Sequence, residues 1–71
     1  MTKNQVGYVT CVIGTLAQMT GKSCAYIYEK LHYAGIIKDY LAAAYDVLHT
    51  LSLDYVAEDV INLMKKKGYP L

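Results

Sequence analysis

The sequence predicts an all-α fold, a compact bundle of four short helices that forms a single helical domain over residues 1–71. Three observations support this prediction. Apolar residues recur at spacings of three and four in four successive segments, as in helices with one buried face. Capping residues or glycines lie at most of the segment ends. The chain has no linker or internal repeat, and its only proline is Pro70.

The first helix is expected to follow Thr2. Thr2 and Gln5 have the T-x-x-Q spacing of a capping box, in which each side chain accepts a hydrogen bond from the other residue's backbone N–H. Gly21 is expected to end this helix. The β-branched residues and glycines of "VGYVTCVIGT" make a strand the competing interpretation, but length and spacing favour a helix. The expected apolar stripe comprises Val6, Tyr8, Val9, Val12, Ile13, Leu16, Ala17 and Met19.

The second helix is expected to begin after Ser23, a good N-cap residue. Gly35 is expected to close it in the left-handed conformation, with Ile36 contacting Leu31 as in a Schellman ending. The expected buried stripe comprises Ile27, Tyr28, Leu31 and Ala34.

The third helix is expected to open at Lys38 or Asp39 and to end near His49 or Thr50. Three consecutive alanines, residues 42–44, have high helix propensity and permit close packing. The expected stripe comprises Ile37, Leu41, Ala44, Tyr45 and Leu48.

The fourth helix is expected to follow Ser52 and to stop at Gly68. Asp54 in its first turn and Lys65–Lys67 in its last turn both complement the helix dipole. The expected stripe comprises Leu53, Val56, Ala57, Val60, Ile61 and Met64.

The composition predicts a partner. Hydrophobic residues make up 55% of the chain and charged residues 18%. A domain of this length buries only about 60% of its unfolded surface, so apolar groups must remain exposed, and exposed apolar patches are typical of interfaces. Eight tyrosines, with no Phe or Trp, suit half-buried and interfacial positions. We therefore expect a protein partner or self-association.

Charge argues against a nucleic-acid partner, because the net charge is +1 and the chain has no arginine. The opening "MTKNQVGYVTC" does not have the order of a secretory signal, and no apolar run approaches the roughly 18 residues that span a bilayer. We expect a cytoplasmic protein without a membrane segment, in which Cys11 and Cys24 are reduced and buried.

The stretch "AAAYDVLHTLS" places four polar side chains close together in an otherwise apolar chain. Asp46 and His49 are three residues apart on one helix, a spacing at which an acid can orient an imidazole. A histidine at a helix end also binds the last carbonyls, and Thr50 can bond back to the carbonyl of Asp46 or help the turn. We favour this structural interpretation and predict no catalytic residues and no enzyme.

No cofactor or metal motif accompanies these residues. The sequence has no glycine-rich phosphate loop, and its Cys, His, Asp and Glu residues fall at no recognised zinc spacing. Tyr26 and Tyr33 lie seven residues apart, hence on one helix face, which is a candidate interface if exposed. The residues expected to contact a partner are Tyr26, Tyr33, Tyr45, Asp46, His49 and Thr50.

The alternative is a DNA-binding regulator. The segment "YEKLHYAGIIKDYLAAAY" has the outline of a helix-turn-helix, with Gly35 in the turn. Its recognition helix would present Lys38, Asp39 and Tyr40, with no Asn, Gln or Arg for base edges. We therefore favour two packed helices over a DNA reader.

The segment "GIIKDYLAAAYDVLHTLSLDYVAEDVINLMKKKG" resembles a family of short bacterial proteins of unknown function, over roughly residues 5–68. The family pattern has a G-I-I-x-x-Y-[LI] opening, a Y-[DE]-x-L-H-T core and a final acidic helix. The core corresponds to Tyr45, Asp46, Leu48, His49 and Thr50. The departure lies in "SCAYIYEKL", where Tyr26 stands in place of a capping Glu.

Proteins of that family resemble the product of one gene in a small two-gene pair, in which the other gene often encodes an ADP-ribosyltransferase-like toxin. The resemblance implies a partner-binding or antitoxin-like role directed at a neighbouring gene product. It implies no established activity.

Overall fold

The computed structural model describes all 71 residues and contains helices but no strands, which confirms the all-α prediction. Its elements, in chain order, are α1 (Lys3–Thr20), α2 (Cys24–Tyr33), a π-helix (Ile37–Ala42), α3 (Tyr45–Leu48) and α4 (Leu53–Lys67). α1 packs against α2, the π-helix and α4, so it forms the centre of the bundle. None of these helices is both long and apolar enough to cross a membrane.

The predicted start of α1 is confirmed in detail. The backbone N–H of Gln5 donates to Thr2 Oγ1 at 3.2 Å, and the Thr2 N–H donates to Gln5 Oε1 at 2.7 Å. Both halves of the capping box are therefore present. At the other end, the N–H of Gly21 donates to the carbonyl of Ala17 at 2.9 Å.

The ends of α2 and α4 also lie where the sequence predicts them. Ser23 and Ser52 cap the two helices, accepting from the backbone N–H groups of Tyr26 and Tyr55 at 3.1 and 3.2 Å. α4 ends in a Schellman arrangement, because the Tyr69 N–H donates to the carbonyl of Met64 at 2.9 Å. Gly68 and Gly35 follow α4 and α2 with φ of +85° and +77°, where a side chain would be strained.

The predicted third helix is wrong in its form. The chain is helical from Ile36, earlier than expected, adopts π geometry over Ile37–Ala42, turns at Ala43–Ala44, and only then forms the four-residue α3. The predicted four helices are thus five helical segments.

Burial explains the π geometry. Two adjacent pairs are buried, Ile36 with Ile37 and Leu41 with Ala42. The pairs lie five residues apart, and the wider turn of a π-helix, which has i→i+5 hydrogen bonds, brings them closer to one face than the 3.6-residue turn of an α-helix does. The carbonyl of Ala42 accepts a hydrogen bond at 3.0 Å from Nε2 of Gln5, which satisfies one group at the irregular helix end.

The core is entirely apolar, with no buried polar or charged residue. Its members come from every helix: Val9, Val12, Ile13, Leu16, Ile27, Leu31, Ile36, Ile37, Leu41, Leu48, Val56, Ala57, Val60 and Met64. Four residues placed in the stripes by periodicity are instead exposed, because the bundle is too small to cover both edges of each stripe: Val6, Met19, Tyr28 and Leu53.

The predicted burial of the cysteines is also wrong. Cys11 and Cys24 are free thiols and both are exposed. Cys11 lies about 100° around α1 from Val12, outside the buried face of that helix. Cys24 is the first residue of α2, just after the cap at Ser23.

Candidate interaction surfaces

The polar stretch at the end of α3 is organised around the pair Tyr45 and His49. Their rings stack with centroids 4.6 Å apart and planes 14° from parallel. The His49 Nδ1–H donates to the backbone carbonyl of Tyr45 at 2.7 Å. On its other side the Tyr45 ring meets Tyr8 of α1 edge-on, at 5.5 Å. His49 therefore closes the end of α3 and is itself held by the core-facing tyrosine.

Asp46 and Thr50 do not join His49 in an acid–base arrangement. Of the two arrangements expected for Thr50, the back-bond to Asp46 is absent: Thr50 Oγ1 donates to the carbonyl of Val47 at 2.7 Å, within the turn. Asp46 is exposed, and Nδ1 of His49 bonds a carbonyl rather than this carboxylate. The geometry matches a helix end stabilised by its own polar side chains.

The same end of the molecule carries exposed apolar side chains. Val47 is 66% exposed and Tyr55 is 61% exposed. Leu51 and Leu53 lie between them in the sequence and are also exposed. We call the exposed residues between α3 and the first turn of α4 the acidic corner: Asp46, Val47, Leu51, Leu53, Asp54 and Tyr55.

A second surface lies along α2. Tyr26 lies between two ammonium groups, Nζ of Lys22 at 5.5 Å and Nζ of Lys30 at 5.9 Å from its ring centroid, within cation–π range. Tyr33 is 75% exposed and meets Tyr69 edge-on at 5.2 Å. The tyrosine face is the surface formed by Lys22, Tyr26, Glu29, Lys30, Tyr33 and Tyr69.

A groove of about 420 Å³ runs along this face, and both Tyr26 and Tyr33 line it, as their spacing predicts. His32 also lines it and stacks on Tyr28 at 5.7 Å. Tyr28 and His32 line a neighbouring groove of about 440 Å³ that lies beside the turn at Gly35. His32 thus separates two adjoining shallow grooves.

The six predicted contact residues therefore form two sites rather than one. Tyr45, Asp46, His49 and Thr50 lie at the end of α3, whereas Tyr26 and Tyr33 lie on α2. No ring contact or side-chain hydrogen bond joins the two groups.

Sequence reasoning missed Tyr28 and Tyr69 as surface residues, and it missed the stacking of Tyr28 on His32. The four-residue spacing of Tyr28 and His32 on a helix could have revealed their stacking. Tyr69 gave no such signal, because its contact with Tyr33 joins two distant parts of the chain.

Beneath these surfaces, Tyr40 links the π-helix to α4 by donating a hydrogen bond from its hydroxyl to Asp59. Burial, and next the hydrogen bond to Asp59, raises the pKa of Tyr40 to about 12. Burial also raises the pKa of Tyr8, whose hydroxyl is enclosed and has no hydrogen-bond partner in the protein. At the edge of the same core, the Tyr40 hydroxyl is therefore hydrogen-bonded and the Tyr8 hydroxyl is not.

No group of three His, Cys, Asp or Glu side chains is arranged to hold a metal ion. The fold and its surfaces define a small all-α domain with an apolar core and two exposed, partly aromatic surfaces.

The chain belongs to the family described as protein of unknown function (DUF3791), whose family model matches residues 7–67. Membership confirms the part of the predicted resemblance that concerns a family of unknown function. The L-H-T core motif and the toxin neighbourhood stay predictions. Neither the curated proteins nor the solved structures include a match to this chain.

Proposed function

We propose that this protein is a protein–protein interaction module that docks another polypeptide on its tyrosine face. The observation that carries the proposal is the exposure of Tyr26, Tyr33 and Tyr69 beside an open groove. Tyrosine is enriched in interface cores and supplies many of the residues that dominate binding energy.

The composition of the exposed surface supports an interaction role more than its total area does. The accessible surface is 4504 Å², close to the roughly 4,400 Å² of an ordinary monomer of this mass. Its distinction is composition: five of the eight tyrosines are exposed, together with six large aliphatic or methionine side chains. Covering an apolar surface of that kind with a partner lowers the free energy, because apolar groups are removed from water.

The partner class follows from the family resemblance. We propose an antitoxin-like role in which the protein binds the product of a neighbouring gene, an ADP-ribosyltransferase-like toxin in the family pattern. The role is non-enzymatic and uses no cofactor. A cytoplasmic location suits two free, exposed thiols, which persist in a reducing compartment.

The helix-turn-helix alternative is less favoured by the geometry. The helix after Gly35 is a π-helix in which Ile37, Leu41 and Ala42 are buried. It leaves Lys38 and Asp39 exposed, a pair with no net charge. Phosphate contacts supply much of DNA affinity, so this is a poor groove-binding surface.

The test is co-expression of the tagged protein with the product of the adjacent gene, followed by co-purification. The double variant Tyr26→Ala/Tyr33→Ala removes the centre of the tyrosine face, and Val6→Ala, an exposed change on α1, is the matched control. We expect capture by the wild type and by Val6→Ala, with at least about tenfold weaker capture by the double variant, since interface tyrosines are frequent hot spots.

A wild-type protein that captures neither the neighbour nor a second copy of itself overturns the proposal. A salt-dependent gel shift on the upstream DNA, in the absence of such capture, would favour the DNA-binding alternative.

A further inference from the structure

Charge is segregated along α4. Asp54 and Glu58 occupy its first two turns, and Lys65–Lys67 occupy its last turn. At 1.5 Å per residue, Asp54 and Lys66 lie about 18 Å apart along the helix, in a molecule whose extents are 26 × 21 × 20 Å. The two ends of α4 are therefore opposite poles of the protein.

The acidic corner forms one pole. From residue 46 to residue 64 the chain contains four acids and no lysine. One of these acids, Asp59, is bonded by Tyr40, but Asp46 and Asp54 are exposed beside Val47 and Tyr55. This pole thus combines negative charge with exposed apolar groups.

The tyrosine face forms the other pole. Lys22 and Lys30 flank Tyr26. Lys65–Lys67 lie just before Tyr69, which packs on Tyr33. Glu29 is the only acid on this face. The lysines of the last turn complement the helix dipole, but the dipole does not account for the exposed tyrosine rings beside them.

We infer that the occupant of the tyrosine face is the acidic corner of a second copy of this chain, bound head to tail. The inference rests on the proposed function: a second copy covers the tyrosine face in the absence of the neighbouring gene product, which binds the same surface. The two poles have opposite charge and similar apolar character, and the two ends of α4 that they border lie about 18 Å apart along the helix. A net charge of +1 opposes the approach of two copies only weakly.

The rings supply the apolar centre of an interface. The exposed parts of Tyr26, Tyr33 and Tyr69 amount to about 300 Å² if a free tyrosine has roughly 200 Å². A standard interface buries about 800 Å² on each partner, of which the rim is polar. The lysines and Glu29 around the rings supply such a rim. Because the two contacting surfaces differ, the assembly is heterologous and extends to a ring or a short chain.

The test uses variants that each disable one pole. Tyr26→Ala/Tyr33→Ala removes the tyrosine face, and Asp46→Lys/Val47→Ala removes the acidic corner; all four side chains are exposed or at the surface of short helices. Size-exclusion chromatography with light scattering, over a range of concentrations, measures the mass. We expect wild-type oligomers that dissociate at higher salt, each variant alone as a monomer, and an equimolar mixture that forms a 1:1 dimer and nothing larger.

Circular dichroism verifies folding of each variant. If Asp46→Lys/Val47→Ala is unfolded, Asp46→Asn/Tyr55→Ala addresses the same corner. A wild type that stays monomeric at all concentrations overturns the inference, whether or not it binds a nucleic acid or another protein. A corner variant that still dimerises while the face variant does not indicates a symmetric face-to-face dimer and also overturns it.

These experiments distinguish failure of this inference from failure of the proposed function. A monomeric wild type that captures the adjacent gene product through Tyr26 and Tyr33 removes the second copy as the occupant and leaves the interaction role intact.

Discussion

Gln5 joins the start of α1 to the end of the π-helix. Its Nε2 donates to the carbonyl of Ala42 at 3.0 Å, while its Oε1 accepts from the Thr2 N–H at 2.7 Å. A single carboxamide therefore completes the α1 cap and satisfies a backbone oxygen 37 residues away. A carboxamide suits this position because its oxygen accepts while its nitrogen donates in a different direction.

Substitution of Gln5 separates these two roles. Gln5→Glu keeps the acceptor of the capping box but loses the donor to Ala42, so we expect a loss of about 1 kcal/mol in the free energy of unfolding. Gln5→Ala loses both and is expected to cost about 2 kcal/mol. Chemical denaturation measures both changes. Gln18→Ala, an exposed change on the same helix, is the control, and equal stability of Gln5→Glu and wild type would contradict the assignment.

The raised pKa of Tyr40 predicts that the protein loses stability at alkaline pH. Its pKa is about 12 in the folded protein and 10.0 when unperturbed, chiefly because of burial and then of its bond to Asp59. Its contribution is complete below pH 10 and is lost as pH rises towards 12, because the unfolded state releases the proton first. We expect the melting temperature of Tyr40→Phe to depend less on pH across this window than that of Tyr55→Phe, the exposed control. Parallel pH profiles for the two variants would argue against a Tyr40–Asp59 hydrogen bond that raises the pKa of Tyr40.

Removal of the Tyr8 hydroxyl is expected to stabilise the protein at neutral pH, whereas removal of the Tyr40 hydroxyl is expected to destabilise it. Its hydroxyl is buried without a hydrogen-bond partner in the protein, and an enclosed, unpaired hydroxyl is destabilising. Tyr8→Phe keeps the ring that meets Tyr45 and is expected to raise the free energy of unfolding by up to about 1 kcal/mol. Tyr40→Phe is expected to lower it by about 1 kcal/mol, because Asp59 loses its donor. Urea titration of both proteins compares them directly, and a destabilised Tyr8→Phe would show that this hydroxyl does have a stabilising partner.

His49 predicts a stability effect at the end of α3. His49→Ala removes the bond to the Tyr45 carbonyl and the ring stack, so we expect a loss of about 1 kcal/mol. His32→Ala removes a stack on Tyr28 but no hydrogen bond, and we expect a change within about 0.5 kcal/mol. Thermal unfolding of the pair is the measurement. If His49→Ala melts like wild type, the imidazole is not part of the helix cap.

The exposed thiols predict ready modification of the native protein. Cys11 and Cys24 are both free and exposed, so a thiol reagent such as Ellman's reagent is expected to titrate both without denaturant. The denatured protein gives the reference stoichiometry. Cys11→Ser and Cys24→Ser, each made singly, are expected to remove one equivalent apiece. Reaction of only one thiol in the native wild type would contradict the exposure of the other.

The alternative helix geometry after Gly35 shows where sequence reasoning reached its limit. The four apolar residues Ile36, Ile37, Leu41 and Ala42 are all buried. Spacings of three and four group Ile37 with Leu41 but leave out Ile36 and Ala42, whose burial depends on the packing of the other helices. The three alanines that predicted one continuous helix contain its interruption, because the turn at Ala43–Ala44 redirects the chain into α3.

Local chemistry determined the ends of α1, α2 and α4, because a cap is made by residues no more than five positions apart. It also determined that the fold is all-α and that Tyr26 and Tyr33 share a face. Tertiary packing alone decided the π-helix, the exposure of both cysteines and the pairing of Tyr33 with Tyr69. The physical reason is that burial depends on which helices meet, and residues far apart in the chain acquire their contacts only when the core closes.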